Sequence, residues 1–453
     1  MLKNNKTILV FLFIVIAAVI YALSGDKPAD QSDITEPGLK IQSWTGKQGN
    51  KVFYVHAPEL PMVDIRVVFD AGSARDGDKA GLASMTNLLL DHGAGGWNTD
   101  QIVERFDEVG AQFSAAAYRD MAVLNLRTLI DAAWLKQSLE TLRTIMQKPV
   151  FDAKELQREQ QRTLVALRNQ QESPSDIAEL NFYEAVYGKH PYAIPPLGTK
   201  ESVKDFTRDE VLDFYKKYYV ARNAIVVIVG AVDKKQAESI SAELMSGMEQ
   251  GQAADALPEV SPLSEAAMIK KQHPSTQTHI WVGQPGMDRT DPDYLPLYVG
   301  NHILGGSGFG SRVVTQIRED RGLAYSSYTY FSPMRRKGPF VMGLQTKNDQ
   351  ADQALDVLMQ TVQQFIADGP SEEEVVSAKN NITGGFALRL DSNKDITEYV
   401  AMIGFYDLPL DYLTTFNARV DAVTREQIVD AFKRRIHPDK MVTVMVGDFN
   451  AKK

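Results

Sequence analysis

The sequence predicts an α+β protein of two homologous halves, each a sheet with helices, behind a short apolar N-terminal segment. Three observations predict it: an ungapped internal repeat, a linker lying between the two copies, and apolar patterns of ordinary globular length. The repeat sets Val203–Asp233 (VKDFTRDEVLDFYKKYYVARNAIVVIVGAVD) against Val420–Asn450 (VDAVTREQIVDAFKRRIHPDKMVTVMVGDFN) at a constant offset of 217 residues. Eight of the 31 aligned positions are identical: Val203/Val420, Thr207/Thr424, Arg208/Arg425, Asp213/Asp430, Lys216/Lys433, Val227/Val444, Val229/Val446 and Gly230/Gly447. That is several times the chance expectation. Both stretches read as a Thr N-cap, an amphipathic helix and a buried strand ending at Gly. Each half therefore closes on the same helix–strand unit.

The elements follow in order. Lys3 and Lys6 precede Ile8–Leu23, an apolar run without a charge. This is the pattern of a signal peptide or of a single N-terminal anchor, with Ala22-x-Ser24 as an acceptable cleavage site. The run is slightly short of the roughly 20 residues of an ideal span, and the lysines keep its start cytoplasmic. The expected organisation is 1–24 membrane anchor or signal peptide, 25–40 linker, 41–250 first domain, 251–265 second linker (GQAADALPEVSPLSE) and 266–453 second domain. The body is then anchored at the inner membrane facing the periplasm, or periplasmic if the segment is cleaved. Val63, Ile65, Val67 and Phe69 alternate, which predicts a half-buried strand. Lys79–Asp91 predicts a helix with Leu82, Met85 and Leu89 on one face. Leu135–Met146 and Ala153–Asn169 predict two more. In the second half His279–Gly283 predicts a strand, and Leu295–Leu304, Gln353–Ile366 and Glu372–Thr383 predict helices.

Composition narrows the chemistry. The chain has 453 residues, a net charge of −9, 44% hydrophobic and 24% charged residues. That is ordinary globular composition and excludes a disordered chain or a polytopic membrane protein. Mild acidity leaves no electrostatic footprint for nucleic acid. Cysteine is absent, which excludes disulfides, thiolate nucleophiles, iron–sulfur clusters and a lipidated cysteine. None of the seven histidines forms a helical zinc pair. His92, before Gly93-Ala94-Gly95-Gly96, reads as a C-cap or turn residue, and His190-Pro191 as loop punctuation. Gly305–Gly310 (GGSGFG) follows a helical segment instead of a strand, so it reads as a flexible turn, not a phosphate loop. Arg318 and Tyr325 bracket a helix end and a strand entry. A guanidinium and a phenol held together there would grip a carbonyl or a developing oxyanion. The alternative is a solvated Arg and a Tyr packed at a strand edge.

Several short signatures then coincide. They are Ala71-Gly72-Ser73 with Gly81-Leu82-Ala83; Gly188-x-His190-Pro191-Tyr192 with Gly198-Thr199; Tyr215-x-x-Tyr218-Tyr219 before Asn223; Gly308-Phe309-Gly310-Ser311-Arg312; and Arg318 to Tyr325 (REDRGLAY). With them the chain resembles the insulinase/pitrilysin-type zinc metallopeptidases, in the two-domain branch that includes the mitochondrial processing peptidase. The resemblance covers about 41–450 and implies two homologous α/β domains forming a clamshell around a chamber. In active members Gly-Leu-Ala is followed at once by His-x-x-Glu-His, two zinc ligands and a general base on one helical face. Here those positions hold Ser84, Asn87 and Leu88. The family's third ligand, a Glu on a later helix, falls at about Val165-Ala166, and Glu159 lies about two turns too early. The resemblance therefore implies a degenerate metal motif, with no catalytic residue and no metal ligand of this chain's own. Arg318 and Tyr325 match the family's Arg/Tyr pair, which implies substrate binding.

The expected function is a non-catalytic, substrate-binding subunit of a heteromeric zinc metalloendopeptidase acting on peptides or unfolded segments. Zinc would sit in a catalytic partner carrying His-x-x-Glu-His, not in this chain. The other partners are peptide substrate, and the membrane through the N-terminal helix if it is uncleaved. A scaffold or peptide-binding protein with an inherited fold is the alternative. A lone peptidase with a relocated metal site is disfavoured, because the histidines offer none.

Overall fold

A computed structural model describes residues 39–450. The expected apolar N-terminal helix lies outside these residues. Among those described, no helix is long and apolar enough to cross a membrane.

Two sheets form the frame. The first contains β1 (Gln42–Thr45), β2 (Lys51–His56), β3 (Met62–Phe69), β4 (Gln112–Ala117), β5 (Ala122–Leu129) and β6 (Ala224–Gly230), in the spatial order β1-β2-β6-β3-β5-β4. The second contains β7 (Ala267–Gln272), β8 (Gln277–Pro285), β9 (Ala324–Phe331), β10 (Pro339–Lys347) and β11 (Val442–Gly447), in the order β7-β11-β8-β10-β9. The last strand inserts between β2 and β3 in the first sheet and between β7 and β8 in the second, each time parallel to the earlier strand and antiparallel to the later. Without β1 the two topologies coincide. The repeat holds to the residue: helices Arg208–Tyr218 and Arg425–Arg435 are related by 217. So are their Thr207/Glu210 and Thr424/Gln427 capping boxes, in which each Thr side chain and its partner satisfy two orphan backbone donors.

The halves are interlocked. The Asn393–Phe405 helix, from the second half, packs on β6, β3 and β2 of the first sheet. The Pro174–Tyr187 helix, from the first half, packs on β8 and β11 of the second. Glycines permit both approaches. A Cβ on Gly404 would lie 2.5 Å from the Phe53 ring, and one on Gly283 2.9 Å from the Phe182 ring. Ile396, Val400, Ile403, Phe182 and Val186 are all buried by this exchange, each contributing about 1.5–3 kcal/mol of hydrophobic stabilisation. A polar seam joins the halves as well. Buried Asp120 accepts from the Tyr192 hydroxyl at 2.6 Å, the Tyr406 hydroxyl at 3.0 Å and the Arg335 backbone N–H at 2.7 Å. Lys51 pairs with Asp407 across the same junction.

Two expectations are corrected. β3 is not half-buried: Asp64 lies under the exchanged helix, paired with Arg127 at 2.9 Å, and Arg66 reaches Glu398 at 3.5 Å. The alternation is real, but its polar face meets protein instead of water. The helix expected from Lys79 begins at Leu82, because Gly81 adopts φ +90° and ends the preceding turn.

Candidate functional site

The degenerate metal motif lies on the Leu82–Leu88 helix, and its two polar side chains, Ser84 and Asn87, are committed to structure. Asp76 is buried and accepts from the backbone N–H groups of Gly81 and Ala83, both at 2.7 Å, anchoring the helix start. Burial pushes its carboxyl up to about 8, while the two donors pull the other way. Gly81 packs backbone to backbone on Gly198, where a Cβ would lie 2.7 Å from the Gly198 Cα. This close approach explains why the two glycine signatures occur together. Ser84 donates to the Pro196 carbonyl at 2.7 Å. Asn87 is buried and donates to the Tyr219 hydroxyl at 3.1 Å. Burial raises the Tyr219 pKa, so that hydroxyl stays protonated. Leu88 is 40% exposed and Val165, near the third ligand position, 54% exposed.

These residues do not fit a zinc ion. Leu88 has no lone pair, the Asn87 amide is spent on Tyr219, and neither supplies the imidazole the motif requires. Among the described residues no group of three or more His, Asp or Glu could hold a metal ion. One turn along, His92 donates through Nδ1 to the Leu88 carbonyl at 2.7 Å, as its expected cap role requires. Its Nε2 stands 3.7 Å from buried Glu159, which also pairs with Arg158 and Arg162. Sequence spacing set Glu159 aside, and the structure gives it an ion-pair role.

The second candidate site is exposed. Arg318 leaves a π-helical turn, Thr315–Glu319, which leads directly to β9. Tyr325 is the second residue of that edge strand and is 81% exposed. The Arg318 guanidinium carbon lies 4.5 Å from the Tyr325 ring centre and 4.7 Å from that of Phe309. The charge is therefore sandwiched between two aromatic faces. The acids beside it are engaged elsewhere: Glu319 accepts from Thr315 at 3.0 Å and Asp320 from Gln316 at 2.9 Å. Among the described residues Arg318 has no carboxylate within 4.0 Å. Sequence reading paired Arg318 with Tyr325 but missed Phe309, which is 71% exposed between Gly308 and Gly310, both at positive φ. The available signal was the single large apolar residue inside an otherwise small-residue turn. The two groups share no contact partner: Ser84 and Asn87 bond within the first half, Arg318 stacks within the second.

The comparisons give the family. The insulinase (peptidase family M16) domain matches residues 51–200, and the peptidase M16 inactive domain matches 205–382. A solved Pseudomonas fluorescens structure, described as a peptidase M16 inactive domain, is 35% identical with a TM-score of 0.89, covering 92% of this chain and 99% of that one. A Helicobacter pylori protein named non-peptidase homolog YmxG is 24% identical over 429 residues, 91% of this chain and 96% of that protein. The mitochondrial-processing peptidase subunit beta of Neurospora crassa is 22% identical over 440 residues, 90% of this chain and 88% of that protein. With two matching domains, a duplicated sheet topology and the metal motif's side chains turned to structural use, the chain belongs to the insulinase (M16) family as a non-catalytic member.

Proposed function

We propose that this chain is the substrate-binding subunit of a heteromeric zinc metalloendopeptidase. The observation that carries the reading is the half-buried Arg318, held between exposed Phe309 and Tyr325 with no carboxylate within 4.0 Å among the described residues. A guanidinium kept accessible and unpaired is available to a carbonyl or oxyanion supplied from outside the chain. The Ser84, Asn87 and Leu88 positions supply neither ligand nor base, so zinc and the general base come from a partner with His-x-x-Glu-His. Peptides or unfolded segments are the substrate, and the β9 edge beside Tyr325 offers backbone groups to an extended chain. The complex sits at the inner membrane facing the periplasm, through the Ile8–Leu23 segment if that is retained.

The test is purification of the full chain from its native membranes in mild detergent, with mass spectrometry of what accompanies it and metal analysis of both fractions. The expected result is a stoichiometric relative containing His-x-x-Glu-His, zinc in the complex, and neither zinc nor peptide cleavage in the isolated chain. One tightly held zinc per isolated chain would overturn the proposal.

A further inference from the structure

A cavity of about 450 Å³ lies between the halves, bounded by the two exchanged helices through Tyr183 on one side and Glu398 and Met402 on the other. Three arginines reach its wall from separate elements: Arg66 from β3, Arg119 from the β4–β5 turn and Arg289 from the loop after β8. Arg119 is fixed in place, its guanidinium 3.5 Å from the Tyr183 ring centre and donating to the Tyr192 and Ile194 carbonyls at 3.2 and 2.9 Å. Arg289 is less committed. Its head group donates to the Tyr294 hydroxyl at 3.3 Å, and its buried Nε has no hydrogen-bond partner among the described residues. The Arg66 Nε is buried and unpartnered in the same sense, while its Nη1 reaches Glu398 at 3.5 Å.

The charge balance of this wall runs against that of the chain. The protein carries a net −9, yet here three cations face two acids, Glu398 and Asp120. Asp120 already accepts from three donors. Neither Arg119 nor Arg289 has a carboxylate within 4.0 Å among the described residues. Partly buried guanidinium groups left without a counterion are costly, and their planar fork matches a planar anion. Beside them the wall carries an adaptable apolar part, the thioethers of Met121, Met334 and Met402. Tyr118, also in the wall, is 52% exposed, so the cavity communicates with solvent on its side.

We propose that this cavity binds an organic carboxylate bearing an apolar side group, its carboxylate held by Arg289 and Arg66 and its side group against the methionines. The inference goes beyond the subunit role and needs no catalytic partner. A peptide C-terminus and a free carboxylic acid share this chemistry.

Calorimetric titration of the full chain with N-acetylphenylalanine and with its amide tests it. The acid should bind, and the amide about tenfold more weakly or worse. Arg289→Gln should weaken the acid by about 10- to 100-fold, the loss expected for a charge-assisted pair, with an unchanged melting temperature. Arg66→Gln is the second variant, should Arg289→Gln fold poorly. A pentapeptide of four glycines ending in phenylalanine separates the sources: binding as acid but not as amide supports a peptide C-terminus, and binding of N-acetylphenylalanine alone supports a small free acid. Equal affinity for acid and amide, or binding of neither at millimolar concentration, overturns the proposal.

Discussion

The Leu82–Leu88 helix and the Arg318–Tyr325 corner hold their polar side chains in opposite states. In and just before the helix three polar side chains are spent inside the protein: Ser84 on Pro196, Asn87 on buried Tyr219, and Asp76 on two backbone donors. At the corner a guanidinium and a phenol remain at the surface, in contact with each other through a ring face. Ser84 and Asn87 serve the fold as internal ties. The corner shows the reverse, with Phe309 and Tyr325 exposed beside Arg318.

Substitutions can break this contrast. The largest effect is expected for Gly81→Val, which places a β-branched side chain at φ +90° against the Gly198 backbone. It should destabilise by more than about 3 kcal/mol, read as a large drop in the urea midpoint. Asn87→Ala should cost about 1–3 kcal/mol by leaving the Tyr219 hydroxyl buried without its partner; a cost near zero would mean that the motif helix is not structurally committed. The pH dependence sharpens the point further. The Asp76 carboxyl is raised from its ordinary value of 3.8 to about 8 in the fold. Between those values the folded chain keeps a proton that the unfolded chain has released, so this group's contribution to stability falls as pH rises from about 4 to about 8. Asp76→Asn should flatten that slope, measured as the urea midpoint across the window. Arg318→Ala should have the smallest effect, within about 0.5 kcal/mol, since it removes only a half-exposed stack.

Much of this was legible in the sequence. The 217-residue repeat was correct to the residue for the closing helix and its cap, because capping chemistry and helical apolar spacing are local. The exchange of helices was not legible. Phe182 and Val400 announce apolar helix faces, but local patterning does not say which sheet will cover them. Asp64 and Arg66 misled for the same reason, reading as a solvent face until a helix from the other half supplied Glu398. At the candidate site, Arg318 and Tyr325 were found by their family spacing. Phe309 was missed because it reaches Arg318 from a glycine turn, and His92–Glu159 because it joins residues 67 apart in sequence.

The central claim is that Arg318 serves chemistry carried out by another chain. The most direct measurement is peptide cleavage by the purified complex of this chain with the proposed His-x-x-Glu-His partner, comparing wild type with Arg318→Ala and Arg318→Lys at equal complex concentration. The account predicts a fall of about 10²–10³ in kcat for Arg318→Ala, the magnitude for loss of a group acting on developing charge. It also predicts poor rescue by Lys, whose point charge does not reproduce the planar fork. Unchanged cleavage with the complex intact would contradict it and leave the chain as a scaffold.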